Sequence, residues 1–262
     1  MRQKIYQIDA FTDKVFSGNP AAVCPLDKWP SDELMQQIAM ENNLAETAYY
    51  VRQGDQYHIR WFTPTVEVDL CGHATLATAF VLFNHEGFEG DTIQFHSPRS
   101  GPLTVKRQQQ LLTLNFPTDV FAPAELTAEI LRCFDIKPKS AFKGKTDYML
   151  VFENEQTIKN LTPALGEISK LKARGVIVTA KGDHADFVSR FFGPQSGVNE
   201  DPVTGSAHTT LTPYWAKVLD KDELSAVQLS GRVGHLQCRL LDDRVEIGGY
   251  GKLYLVGEIF TQ

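Results

Sequence analysis

The sequence predicts an α+β protein of two similar halves, each a mainly antiparallel strand layer wrapped around a central helix. Three observations carry this. Runs of period-two alternation recur along the whole chain without regular helices between them, which disfavours a parallel βαβ array. One helical segment, opening at Gly72, is apolar on every side and must be enclosed by protein. A pattern of residues in the first half reappears in the second.

The strands come first. Tyr6, Ile8 and Ala10 alternate with Gln7 and Asp9, and similar runs lie at 57–63, 92–96, 111–116, 148–153, 175–180, 235–240 and 252–260. From His235 to Leu240 the alternation is strict, as expected of a sheet with one wet face. Helices are fewer. Ser31 reads as an N-cap, with Asp32 and Glu33 in the first turn and Leu34, Ile38 and Ala39 on one face. Helical spacing also appears over 125–134, through Leu126, Ile130 and Phe134, and more weakly over 163–172. After Gly72, the run Ala74, Leu76, Ala77, Ala79, Phe80, Val81, Leu82 and Phe83 leaves almost no polar face.

The repeat links that helix to a second one. Phe62-Thr63-Pro64, Val68 and Gly72-His73-Ala74 are matched by Phe192-Gly193-Pro194, Val198 and Gly205-Ser206-Ala207. Spacings agree up to Cys71 and Asp201; the second copy then inserts Pro202, Val203 and Thr204. The second helix carries Leu211, Tyr214, Trp215, Val218 and Leu219, with Pro213 expected to kink it. Two copies make two pseudo-symmetric domains rather than a solenoid, with chance recurrence as the alternative. Two prolines, Pro117 and Pro123, mark the boundary. The expected halves are 1–118 and 119–251, with a strand near 252–262 packing on the first half and an active site between the halves.

Composition narrows the class. The chain has 262 residues with a formal charge of −6, 42% hydrophobic and 22% charged. At ~150 residues per domain this suits one large or two modest domains. The acidic balance and the lack of a basic run argue against nucleic acid or an anionic membrane as partner. No apolar stretch approaches the ~20 residues of a membrane span, and residues 1–5 lack the apolar core of a secretory leader. A soluble, cytoplasmic protein is expected. Cys24, Cys71, Cys133 and Cys238 form no C-x-x-C pair, so neither zinc spacing nor a disulfide framework is indicated.

Chemistry is expected at the two glycine-led helix starts. Gly72 and Gly205 let backbone approach a ligand, and the unpaired first-turn amides favour an anion, gripped by backbone dipoles rather than by arginine. Ordinary helix capping is the alternative at either one alone. Glu46, entering a strand between apolar neighbours, reads as a partly desolvated general base or as a solvated loop glutamate. His73 reads as a proton donor or a packing residue, Asp201 as a polar site residue or a turn aspartate before proline, and Ser206 as a cap or a carboxylate ligand. Cys71 is a buried thiol or a second base. Dinucleotide, P-loop, zincin and nucleophile-elbow motifs are absent, and proton transfer is the chemistry that needs only these groups.

Five segments in order resemble one family: 8–13 with 16–23, Asn43-Leu44-Ala45-Glu46-Thr47-Ala48, Arg60-Trp61-Phe62-Thr63-Pro64, Cys71-Gly72-His73-Ala74-Thr75, and the run from Glu200 to His208. They are similar to the phenazine-biosynthesis isomerase (PhzF-like) family, whose fold is that of diaminopimelate epimerase. The resemblance implies a cofactor-independent isomerase without metal or pyridoxal phosphate, acting on a small carboxylate. It places Glu46 as catalytic acid/base, His73 and Asp201 beside it, and Asn19, Gly72, Gly205 and Ser206 as substrate-binding residues. A homodimer is the implied assembly. Diaminopimelate epimerases oppose two thiols; here Cys71 stands at one position and Asp201 at the other, which speaks against a two-thiol racemase. A non-catalytic metabolite- or partner-binding protein and an amino-acid epimerase using Cys71 are the rival readings.

Overall fold

Alternating segments become strands almost wherever the sequence shows them. The structure, a computed structural model, describes residues 2–261 and divides into two units. Unit 1 runs to Asn115 and resumes at Gly248, and unit 2 is Phe116–Ile247. The first contains β1 (Arg2–Ala10), β2 (Asn19–Leu26), α1 (Asp32–Asn42), β3 (Glu46–Gln53), β4 (Gln56–Phe62), β5 (Glu67–Val68), α2 (Gly72–His85), β6 (Thr92–Ser97), β7 (Gly101–Gln108) and most of β8 (Leu111–Pro117). The second contains β9 (Ala122–Ala124), α3 (Ala128–Leu131), β10 (Ser140–Lys143), β11 (Asp147–Val151), α4 (Glu155–Asn160), α5 (Leu165–Ile168), β12 (Gly175–Lys181), β13 (Phe187–Gly193), β14 (Val198–Asp201), α6 (His208–Leu219), β15 (Glu223–Gln228), β16 (Gly234–Leu241) and the start of β17 (Arg244–Gly249). The chain then returns to unit 1 as β18 (Gly251–Phe260).

The repeat suspected from a few residues extends through the topology. In unit 1, β1 pairs antiparallel with β18 and β2, β2 parallel with β3, β3 antiparallel with β4, β4 parallel with β6, and β6 antiparallel with β7, while β5 lies antiparallel on β4. In unit 2, β10, β11, β12, β13, β15 and β16 repeat that series with the same senses, β9 stands for β18, and β14 lies antiparallel on β13. The layers are mainly antiparallel, and each contains two parallel pairs where a helix carries the chain across.

Helix α2 sits inside its layer, with residues 73–79 and 81–83 buried. Its two buried threonines are compatible with that because each satisfies its own hydroxyl: Thr75 donates to the Cys71 carbonyl at 2.5 Å and Thr78 to that of Ala74 at 2.8 Å. Helix α1 is capped by Ser31 as expected and covers Met35 and Ala39 against Ala22, Cys24, Tyr49 and Phe62, whereas Leu34 and Ile38, expected on the inner face, are only half-buried.

Two expected helices are shorter than their periodicity. The segment 125–134 is helical only as α3, because Cys133 and Phe134 turn away to meet Ala164 and Pro163. The segment 163–172 is helical only as α5. The short α4 gives no strong periodic signal. Gly205 opens a 3-10 turn, Gly205–Ala207, and the α-helix begins at His208. Pro213 lies inside α6, and the carbonyl left without its usual partner, that of Thr209, accepts from the Asp119 amide at 3.1 Å.

Candidate active site

The parallel pairing of β2 with β3 decides what meets at the start of α2. Ala21 lies opposite Glu46, so Asn19 and Glu46 stand at neighbouring strand starts. Gly18, in the left-handed region at φ +64°, allows the turn into Asn19; a side chain there would strike the Ala10 carbonyl. At the helix start, Cys71 occupies the N-cap and makes no capping bond with its side chain, and Gly72 and His73 follow.

Four of the expected residues therefore converge in unit 1. His73 Nε2 lies 3.0 Å from Glu46 Oε2, and the Asn19 side-chain amide faces His73 Nδ1 at 3.2 Å. Cys71 Sγ is 3.5 Å from Nδ1 and 3.9 Å from Nε2. Asn19, Cys71 and His73 are buried, while the Glu46 side chain keeps 16% of its surface exposed. Burial alone would lower the His73 pKa, but Cys71 and Glu46 outweigh it and hold it well above its ordinary value. Cys71 is pushed up to about 11, by burial first and the Glu46 charge second, so near neutrality it is a thiol. The charge that sustains an imidazolium is then that of Glu46. The side-chain amide of Asn19 can present oxygen to a protonated Nδ1 or nitrogen to a bare one, so it serves either state of the ring. Glu46, Cys71 and His73 are also the group whose donor atoms stand close enough to hold a metal ion among the described residues.

The other expected residues lie in unit 2. Asp201 ends β14; its Oδ2 accepts from Thr204 Oγ1 at 2.6 Å, and its carbonyl accepts from Gln228 and Ser230. Ser206 is in the 3-10 turn, and here the structure supplies a residue missed in the sequence. Arg174 Nη1 donates to Ser206 Oγ at 2.8 Å, while its other nitrogens grip buried Asp147 at 3.0 and 2.5 Å. Its guanidinium lies over the Phe191 ring, and Asp201 is among the charges that raise its pKa. A cation thus stands at Ser206, where backbone dipoles alone were expected.

A matched pair of arginines sets both returning strands. Arg60 grips Glu67 on β5 through two bonds, at 2.7 and 2.9 Å, and lies over Phe62. Arg190 grips Glu200 on β14 at 2.8 and 3.0 Å and lies over Phe192. In each unit a bidentate pair therefore pins the short strand that delivers the chain to the helix start.

A carboxylate, an imidazole and a thiol thus meet at a helix start in one of two topologically repeated units, a set of groups able to move protons. The phenazine biosynthesis-like (PhzC–PhzF) family model matches residues 8–255, and the chain belongs to that family. An uncharacterized isomerase of Pseudomonas aeruginosa is 49% identical, with 99% of each chain covered. A crystal structure of a phenazine biosynthesis PhzF-family protein from Enterococcus faecalis superposes with a TM-score of 0.97 at 46% identity, covering all of both chains. A hydroxyproline epimerase from Agrobacterium vitis shares the fold at a TM-score of 0.64 and 9% identity, over 98% of this chain and 92% of its own. The protein is an isomerase of the PhzF-like family.

Proposed function

We propose that this isomerase moves a proton within a small carboxylate metabolite without a cofactor, with Glu46 as the acid/base. The observation that carries the reading is the 3.0 Å contact between Glu46 and His73 at the start of α2, with Asn19 behind the ring. A carboxylate so placed is aimed by its neighbours and still reachable from solvent, which is what a general base needs. Glu46 takes a proton from a carbon activated by unsaturation or a carbonyl and returns it elsewhere, and His73 orients the carboxylate. Ser206, whose oxygen accepts from Arg174, has its own hydroxyl hydrogen left to donate to an acid group of the substrate. Asp201 is the polar partner on that side, and the amides at Gly72 and Gly205 carry developing negative charge.

Four free, buried cysteines suit a reducing cytoplasm. A homodimer is also part of the reading; Tyr254, Leu255, Val256 and Phe260 on β18 offer exposed apolar surface for it. Among the described residues, no helix is long and apolar enough to cross a membrane.

The test is incubation of a panel of unsaturated and keto carboxylates in heavy water. Wild type is expected to place deuterium in at least one of them, and Glu46→Gln in none. Deuterium uptake by Glu46→Gln at the wild-type rate would remove Glu46 from the reaction.

A further inference from the structure

We propose that Glu46, Cys71 and His73 together bind a zinc ion, and that zinc thereby inhibits the enzyme. One donor atom from each residue, a carboxylate oxygen, a sulfur and a ring nitrogen, lies within 4.8 Å of the other two. Glu46 Oε2 and Cys71 Sγ stand 3.0 and 3.9 Å from the same nitrogen, His73 Nε2. In a tetrahedral zinc site the bond lengths put neighbouring donor atoms about 3.3–3.6 Å apart. Side-chain adjustments on the order of 1 Å therefore bring all three onto one ion.

Two further features point to a cation. Glu46 Oε2 is buried, and its approach to His73 Nε2 at 3.0 Å is an ion-pair contact that leaves it without a hydrogen-bond partner among the described residues. Such a buried carboxylate oxygen favours a positive charge beside it, which the His73 imidazolium supplies at 3.0 Å and which a zinc ion on the neutral ring supplies in its place. Asn19 lies behind the ring at Nδ1. With Nε2 on a metal, Nδ1–H donates to the Asn19 side-chain oxygen, the outer bond that metal-binding histidines ordinarily make. Sulfur with imidazole nitrogen and one carboxylate selects zinc over magnesium or calcium. Three protein donors leave a fourth position for water. As zinc binds, the Cys71 thiol proton and the His73 Nε2 proton both pass to solvent, and no electron is transferred.

The inhibition rests on the reading of Glu46 as base: an oxygen whose lone pair is given to zinc cannot take a substrate proton. Binding itself does not depend on that reading, and cobalt separates the two. Chelator-dialysed full-length protein is titrated with Co2+, then with Zn2+. The expected result is one equivalent of cobalt with tetrahedral visible bands and a thiolate charge-transfer band in the near ultraviolet, all displaced by zinc. Cys71→Ser removes the charge-transfer band and weakens zinc binding at least tenfold; Glu46→Gln weakens binding similarly but keeps that band, and covers the case in which the cysteine variant fails to fold. Octahedral cobalt without a thiolate band, or zinc affinity unchanged in both variants, means an adventitious ion only and overturns the site. Zinc bound with the thiolate signature but without effect on deuterium uptake overturns the inhibition and the catalytic role of Glu46 while leaving the site standing.

Discussion

At the start of β3 the side chain that reaches the following helix start is Glu46, which meets His73 at 3.0 Å. At the topologically matching start of β12 it is Arg174, which meets Ser206 at 2.8 Å. Once the three inserted residues are allowed for, His73 and Ser206 are equivalent positions in the repeat. One inherited arrangement, a strand-end charge touching the second residue of a helix start, thus carries opposite signs in the two units. In unit 1 it presents a carboxylate, the proposed base, and in unit 2 a guanidinium whose natural partner is an acid group. The parallel extends one turn further: Thr75 donates back to the Cys71 carbonyl, and the matching His208 donates through Nδ1 to that of Thr204 at 2.9 Å.

The helices themselves differ, and the largest expected effect probes that. Helix α2 is buried on all sides, whereas Val218 of α6 is 53% exposed. Ala77→Lys should cost at least about 4 kcal/mol and prevent folding of unit 1, while Val218→Lys should stay within about 0.5 kcal/mol, both read from denaturant unfolding. Equal tolerance would mean that α2 is not enclosed.

His208 gives the next effect. Burial pushes its pKa down to about 4, against an ordinary value of ~6.5 in the unfolded chain. The unfolded chain therefore takes up the proton first as pH falls. The neutral ring contributes its full share of stability above about pH 6.5 and loses it progressively toward pH 4, a difference of about 3 kcal/mol. Unfolding measured across that window should show the slope in wild type and a flatter one in His208→Gln.

Arg174→Ala leaves Asp147 buried without its cation and should cost about 2 kcal/mol; the usual penalty for a broken buried pair is discounted because the Arg174 side chain is 37% exposed. Arg174→Lys restores charge but not the two-bond grip, and thermal unfolding should place it between wild type and alanine. If both variants melt like wild type, Arg174 does not hold the unit 2 helix start.

Much of this was legible in the chain. Glu46 could be found because it opens a strand between apolar residues, and His73 because a glycine-led, wholly apolar helix follows it. The repeat showed through Phe62 and Phe192 because both lie under an arginine two residues earlier. Arg174 was not legible: it falls between the helical pattern of 163–172 and the strand pattern of 175–180, and its partner Asp147 lies 27 positions away. Helix propensity over 125–134 was real but lost to the tertiary pairing of Phe134 with Pro163. A local pattern cannot report a contact made by a distant strand.

The most direct measurement compares turnover and binding in Glu46→Gln for the first carboxylate that wild type isomerises. The account predicts a kcat lower by about 10²–10⁴-fold with the dissociation constant within about threefold of wild type, since glutamine keeps the shape but cannot carry the proton. A variant that turns over at the wild-type rate, or that loses binding in step with rate, would contradict it.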